Sequence, residues 1–101
     1  MTAYTNNLKA ELGDNLKAVI LFGSCVREEH DIGSDMDIFI LVTETDKKTV
    51  ESIRRVSRKY EWDYDTLMPC ITRSVSHYNK YYWETIFQSI RKEGWVYYGA
   101  A

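Results

Sequence analysis

Two short, uninterrupted apolar runs place the strongest constraint on the fold. The first, Ala18–Phe22, reads Ala-Val-Ile-Leu-Phe, and a run of this kind suits a strand that is covered on both faces. The second, Ile38–Val42, is equally apolar and directly follows the tripeptide Asp-Met-Asp. Both runs predict β-strands, over Leu16–Phe22 and over Asp35–Thr43, at the centre of a small sheet.

The remaining elements follow from hydrophobic periodicity and from helix-cap signals. The predicted helices cover Ala3–Leu12, Ser24–Glu29, Lys47–Tyr60 and a region from Ser74 or Ser76 to Glu93, with a third strand over Trp62–Thr72 and a short strand or packed tail over Trp95–Tyr98. This order predicts an α/β or α+β domain, in which helices cover a small mixed sheet mainly on one side.

Length and charge limit the classes of function. A chain of 101 residues predicts a single domain, 1–101, and a net charge of −2 argues against a protein that wraps duplex nucleic acid. No apolar run approaches the ~20 residues that a membrane span needs, and the polar N-terminus has no signal-peptide core. We therefore expect a soluble, cytoplasmic protein with reduced thiols at Cys25 and Cys70.

The chemistry-bearing motif is a Gly-Ser pair, ten residues, and then Asp-x-Asp. Gly23 and Ser24 follow the first apolar strand, and Asp35 and Asp37 open the second. Side chains alternate along a strand, so the two carboxylates point to one face, where they repel each other unless a cation lies between them. Hard oxygen ligands suit Mg²⁺, while a glycine at a strand end lets a phosphate approach the backbone.

This combination of an anion cradle and a metal pair predicts phosphoryl or nucleotidyl transfer. A two-metal site commonly needs a third carboxylate, and the predicted third strand offers Asp63 and Asp65 on one face. Asp65 is the preferred candidate because it leads into the apolar part of that strand. Asp63 is the alternative.

The motif resembles the signature of the DNA polymerase beta-type nucleotidyltransferase superfamily. The matching residues are Gly23-Ser24, Ser34-Asp35-x-Asp37, an arginine at position 27, and a final Glu-Gly with an aromatic tail up to Tyr98. The resemblance covers most of the chain, and a second domain is lacking. The chain is therefore similar to the minimal nucleotidyltransferases, which are commonly paired with a helical HEPN-type partner as antitoxin and toxin.

The resemblance implies a role for each matched residue. Gly23, Ser24 and Arg27 would bind the phosphates of a nucleoside triphosphate such as ATP. Asp35 and Asp37 would bind Mg²⁺, and the third acid, Asp65, would help to activate an acceptor hydroxyl. Many members have glycine after the arginine, whereas this chain has Glu28, which puts the strength of triphosphate binding in question.

Three functions remain open at this stage. The first is an enzyme that transfers AMP from ATP to a hydroxyl of a HEPN-type partner. The second is a non-catalytic binding module that acts by docking onto that partner. The third is a small-molecule nucleotidyltransferase of the antibiotic-modifying kind, which would need a homo-oligomer to build its acceptor pocket.

Two surfaces also permit alternative interpretations. The basic residues of the helix over Lys47–Tyr60 form either a solvated face or a docking surface for an acidic partner. The aromatic cluster of Tyr78, Tyr81, Tyr82 and Trp83 is either core and rim or a patch that binds a partner.

Overall fold

The computed structural model describes residues 2–22, 37–65 and 69–99. Its elements are α1 (Thr2–Leu12), a 3₁₀ turn (Gly13–Asn15), β1 (Leu16–Phe22), β2 (Asp37–Val42), α2 (Lys47–Tyr64), β3 (Cys70–Ser74), α3 (Val75–Lys80), α4 (Thr85–Glu93) and β4 (Trp95–Gly99). The predicted α+β class is confirmed. The predicted helix over Ser24–Glu29 lies outside the described residues.

The strands of these ranges form one mixed sheet in the order β3-β2-β1-β4. β1 runs antiparallel to both β2 and β4, whereas β2 and β3 are parallel and are connected through α2. The apolar runs therefore occupy the two central positions of the sheet. This placement explains why neither run shows polar alternation.

Helices cover both faces of the sheet, so the prediction that they lie mainly on one side is wrong. On one face, Ile38, Ile40 and Val42 of β2 pack against residues of α1 and α2. On the other face, Phe39 and Leu41 pack against residues of α3 and α4. A strand that is apolar at every position has two faces to bury, and one helical layer covers only one of them.

Helix α2 begins where the sequence predicts and continues four residues further. The Asp46 carboxylate caps it by accepting a hydrogen bond from the Thr49 N–H at 3.2 Å, and the Thr49 hydrogen bonds lower the pKa of Asp46. At the other end, Asp65 adopts a left-handed conformation with φ of 50°, and its N–H donates to the Glu61 carbonyl. Aspartate tolerates this region better than most residues do.

The extension of α2 makes the predicted third strand wrong between Trp62 and Tyr64. Both residues lie in the last turn of α2, and they are exposed, at 86% and 61%, so neither packs against the sheet. The strand itself starts at Cys70 and ends at Ser74. An alternation of aromatic and acidic residues is compatible with the last, solvated turn of a helix as well as with a strand.

Two shorter helices and a strand complete the chain. The predicted end of the last helix at Gly94 is confirmed, since the Gly94 N–H donates to the Ile90 carbonyl at 2.8 Å. A side chain at position 94 would overlap the Ile90 carbonyl and the Ile20 side chain, so the entry into β4 requires glycine. Within residues 2–22, 37–65 and 69–99, no helix has both the length and the apolarity to cross a bilayer.

Candidate active site

Three chain segments meet at one edge of the sheet. The last residue of β1, Phe22, is the Cα partner of Asp37, the first residue of β2. The next residue, Ile38, donates its N–H to the Pro69 carbonyl at 2.9 Å, immediately before β3. We call this end of the sheet the Asp37 edge. It joins the end of β1 to the beginnings of β2 and β3.

The predicted phosphate-binding residues are close in the sequence to residues of this edge. Gly23 and Ser24 follow Phe22 directly, and Asp35 precedes Asp37 by two residues. These three residues, with Arg27 and Cys25, lie outside the described residues. Their roles therefore stay predictions.

Asp37 is a half-buried carboxylate at the start of an apolar strand. Strand alternation places it on the same face as Phe39 and Leu41, which is the face that α3 and α4 cover further along β2. Burial disfavours an unscreened carboxylate charge, so this position suits a cationic neighbour. A carboxylate is also the hard oxygen ligand that Mg²⁺ prefers.

The metal-binding set is incomplete in the described part of the chain. Residues 2–22, 37–65 and 69–99 contain no group of three His, Cys, Asp or Glu side chains that could hold a metal ion. Asp37 fits Mg²⁺ by its chemistry and position, and a fuller site would need Asp35, which is outside those ranges. Asp35 and Asp37 remain the predicted pair of Mg²⁺ ligands.

The two candidates for the third carboxylate lie at the end of α2, so strand alternation no longer places them on one face. Asp63 pairs with Lys59 one helical turn away, at 3.2 Å. Asp65 follows the helix and precedes Pro69 by four residues, so their Cα atoms are at most about 15 Å apart along the chain. Asp65 is the nearer of the two to Pro69 along the chain, and its metal-binding role stays a prediction.

Sequence reasoning missed a buried polar cluster at the start of β3. The Tyr4 hydroxyl lies 2.8 Å from Ser57 Oγ and 3.5 Å from Cys70 Sγ, and Ser57 Oγ lies 3.4 Å from Cys70 Sγ. Burial is the main cause that raises the pKa of Tyr4 above its ordinary value, and the neighbouring Cys70 raises it further. The hydroxyl therefore stays protonated. The cluster ties α1, α2 and β3 together one residue beyond Pro69. The sequence signal for this cluster was Ser57, a serine among the buried residues of α2.

The aromatic cluster divides between core and surface. Tyr78 is buried, and its ring lies 5.9 Å from that of Phe39 and 5.2 Å from that of Phe87. Tyr82 and Trp83 are exposed, and the Arg91 guanidinium covers the Tyr82 ring at 3.6 Å. Tyr78 is therefore a core residue, whereas the exposed rings of Tyr82 and Trp83 fit both a rim and a patch that binds a partner.

Comparison with known proteins identifies one family. The model of the nucleotidyltransferase domain family matches residues 6–92. The protein named "Putative protein adenylyltransferase MJ0141" of Methanocaldococcus jannaschii is 36% identical over 66 residues, which make up 64% of this chain and 67% of the relative.

Solved structures share the fold at low sequence identity. A chain of a toxin–antitoxin crystal structure with AMP-PNP is 18% identical, with a TM-score of 0.67 over 98% of this chain and 73% of that one. A chain from the complex of a tri-AMPylated Shewanella oneidensis HEPN toxin with its MNT antitoxin is 17% identical, with a TM-score of 0.59 over 98% and 70%. Both comparisons support the α+β architecture described above.

Proposed function

Because this chain belongs to the nucleotidyltransferase domain family, we propose that it transfers AMP from ATP to an acceptor hydroxyl in a Mg²⁺-dependent reaction. The observation that carries the proposal is the Asp37 edge. There, a carboxylate that opens an apolar strand lies opposite Phe22, the residue that precedes the Gly-Ser pair. We further propose that residues 1–101 act as one catalytic domain.

Each residue of the site has a defined task in this proposal. Gly23 and Ser24 bind the triphosphate through the backbone and a hydroxyl, and Arg27 neutralises part of its charge. Asp35 and Asp37 would hold Mg²⁺, which when bound supplies a positive charge for the phosphates and the entering oxygen. Asp65 accepts a proton from the acceptor hydroxyl or orients that hydroxyl.

The reaction exchanges one phosphorus–oxygen bond for another. The acceptor oxygen forms a bond to the α-phosphorus of ATP, the bond from that phosphorus to the β-phosphate bridge breaks, and pyrophosphate leaves. The hydroxyl proton passes to a nearby carboxylate. Such a transfer depends mainly on positioning and charge stabilisation, which is why carboxylates and a phosphate cradle suffice as protein groups.

The acceptor in this proposal is a hydroxyl of a helical HEPN-type partner protein in the cytoplasm. The relative from Methanocaldococcus jannaschii carries the name "Putative protein adenylyltransferase MJ0141", and one structural neighbour contains an AMPylated HEPN toxin in complex with an MNT antitoxin. Both names favour a protein acceptor over a small molecule. The chain would then act as an antitoxin that modifies its partner.

A label-transfer assay tests the proposal. The chain is incubated with a HEPN-type partner, Mg²⁺ and ATP labelled on the α-phosphate. We expect the label to appear in the partner, to be absent when chelator removes Mg²⁺, and to be absent with ATP labelled on the γ-phosphate. The last control separates nucleotidyl transfer from phosphoryl transfer.

Two outcomes would contradict the proposal and support its alternatives. Tight binding of the partner without any label transfer would indicate a non-catalytic binding module. Transfer of the label to an aminoglycoside, but not to the partner, would indicate a small-molecule enzyme.

The third carboxylate can be identified with a matched pair of variants. We expect Asp65→Asn to lower the rate of label transfer about a hundredfold, because a positioned acid–base group contributes on that order. Asparagine keeps the left-handed conformation accessible, so the backbone is little disturbed. Asp63→Asn should change the rate less than about twofold, since Asp63 pairs with Lys59 on α2. A loss with Asp63→Asn and none with Asp65→Asn would reverse the assignment.

A further inference from the structure

One exposed aromatic residue is fixed by contacts to both its ring and its backbone. Tyr82 lies in the connection between α3 and α4, with 51% of its surface exposed. The Arg91 guanidinium covers one face of its ring at 3.6 Å and donates to its carbonyl at 2.8 Å. The same guanidinium donates to the Tyr78 hydroxyl at 3.0 Å. The Tyr82 ring therefore has one face against Arg91 and a fixed position at the surface.

The rest of this connection is also held by hydrogen bonds. The Glu84 N–H donates to the Tyr81 carbonyl at 2.9 Å. The Gln88 side chain donates to the Trp83 carbonyl. A surface ring that is fixed before a ligand arrives loses little conformational entropy when it binds that ligand, so such a ring suits a binding platform.

The path of α3 places Tyr82 on the face of the sheet that carries Asp37. This helix begins at the far end of β2, because its cap Ser74 pairs with the last residue of that strand. It then returns over the sheet, where the Tyr78 ring lies 5.9 Å from that of Phe39 and 5.6 Å from that of Tyr82. Phe39 is two residues from Asp37 on the same face of β2. Three successive contacts thus connect Asp37 with Tyr82.

The path of α4 leads to the same end of the sheet. Arg91 lies in the last turn of this helix, which ends at Gly94. The next residue, Trp95, is the Cα partner of Leu21, one residue before the end of β1. The last turn of α4, and with it the guanidinium that covers Tyr82, therefore lies towards the Asp37 edge.

The charge of this pair selects the kind of ligand that it can bind. Within residues 2–22, 37–65 and 69–99, Arg91 forms no ion pair with a carboxylate, and its hydrogen-bond partners are the neutral oxygens of Tyr78 and Tyr82. A cation behind one face of a ring makes the other face a poor site for a second cation. A planar ring can stack there, and the positive charge attracts an anion. A nucleotide combines both properties.

We propose that the exposed face of Tyr82, backed by Arg91, is the platform on which the base of the substrate nucleotide stacks. This inference rests on the proposed function, in which Gly23 and Ser24 bind the triphosphate beside the Asp37 edge. The base then extends over the same face of the sheet to Tyr82. Stacking adds affinity for any base, because every base has an aromatic face. Tyr82 is thus a positioning residue for the nucleotide.

Isothermal titration calorimetry with the whole chain tests the platform. The two probes, each with Mg²⁺, are AMP-PNP and inorganic tripolyphosphate, which carries the phosphates without a base. We expect Tyr82→Leu to weaken the binding of AMP-PNP about tenfold, since base–aromatic stacking contributes on that order. The affinity for tripolyphosphate should change less than about twofold, because leucine removes the ring and leaves the charges in place.

Two further variants make the result specific. Tyr82→Phe keeps the ring and should retain the affinity for AMP-PNP within about twofold. Tyr64→Leu is the matched control, because Tyr64 is an exposed tyrosine whose ring packs against Tyr60 at 4.4 Å in the layer on the other face of the sheet. It should leave both affinities within about twofold of the original.

The platform is overturned if Tyr82→Leu binds AMP-PNP as tightly as the original chain, or if it loses AMP-PNP and tripolyphosphate equally. A similar loss in Tyr64→Leu would also overturn it. If the original chain binds neither probe, both the platform and the proposed function are overturned.

Label transfer to the partner separates the two proposals. Unchanged AMP-PNP binding in Tyr82→Leu, in a chain that transfers the label, would remove the platform and retain the proposed function. A loss confined to Tyr82→Leu and to AMP-PNP, in a chain that transfers no label, would support the platform and contradict the transfer.

Discussion

Asp37→Asn should lower the rate of AMP transfer by about a thousandfold without loss of the fold. A metal ion held by carboxylates contributes several kcal/mol to the transition state, and each 1.4 kcal/mol corresponds to about a factor of ten. Asparagine keeps the size of the side chain but gives up the charge. Its removal also relieves the repulsion expected between positions 35 and 37.

The measurement is single-turnover label transfer from ATP to the partner, together with a thermal unfolding curve. Asp14→Asn is a matched control because Asp14 is an exposed residue of the turn before β1, at the end of that strand opposite Phe22. It should leave the transfer rate within about twofold of the original. Retained transfer in Asp37→Asn would refute the metal assignment, and a collapsed unfolding transition would show a structural role instead.

The largest expected effect on stability belongs to Phe39→Ala. Phe39 lies fully buried in β2, and its ring packs against Tyr78 at 5.9 Å and Phe87 at 5.8 Å. Truncating a buried phenylalanine typically lowers the free energy of unfolding by about 3–5 kcal/mol. Domains of this size are stable by only about 5–15 kcal/mol, so the variant should be near its unfolding threshold.

Urea denaturation of the purified chain measures this change. Ile86→Ala is the control, since Ile86 lies on α4 with 43% of its surface exposed and should cost less than about 1 kcal/mol. Equal losses in the two variants would mean that the layer of α3 and α4 contributes little to the stability of the sheet.

Local pattern was sufficient for the centre of the fold. The bounds of β1 agree with the prediction, α1 differs by one residue at its start, and α2 begins at the predicted Lys47, directly after its cap Asp46. Each of these features depends on a few neighbouring residues. A five-residue apolar run is too short for a buried helix, and an aspartate directly before a helical pattern commonly serves as the N-cap.

The prediction of the third strand was wrong because its sequence pattern fits both a strand and a helix. Trp62, Asp63 and Tyr64 alternate as a strand would, but they also form the exposed last turn of α2. The choice depends on where α2 stops and where β3 pairs with β2, and both are contacts between distant residues. The pairing of Ile38 with Cys70 is such a contact.

The sequence by itself determined the two central strands, the carboxylate of Asp37 that opens the second, and the family to which the chain belongs. Those features follow from short-range periodicity and from motif spacing. Only the tertiary structure decided that helices cover both faces and that the rings of Phe39, Tyr78 and Tyr82 follow one another on one of them. The physical reason is that a parallel crossover brings together residues far apart in the chain, and its register is selected by packing rather than by local propensity.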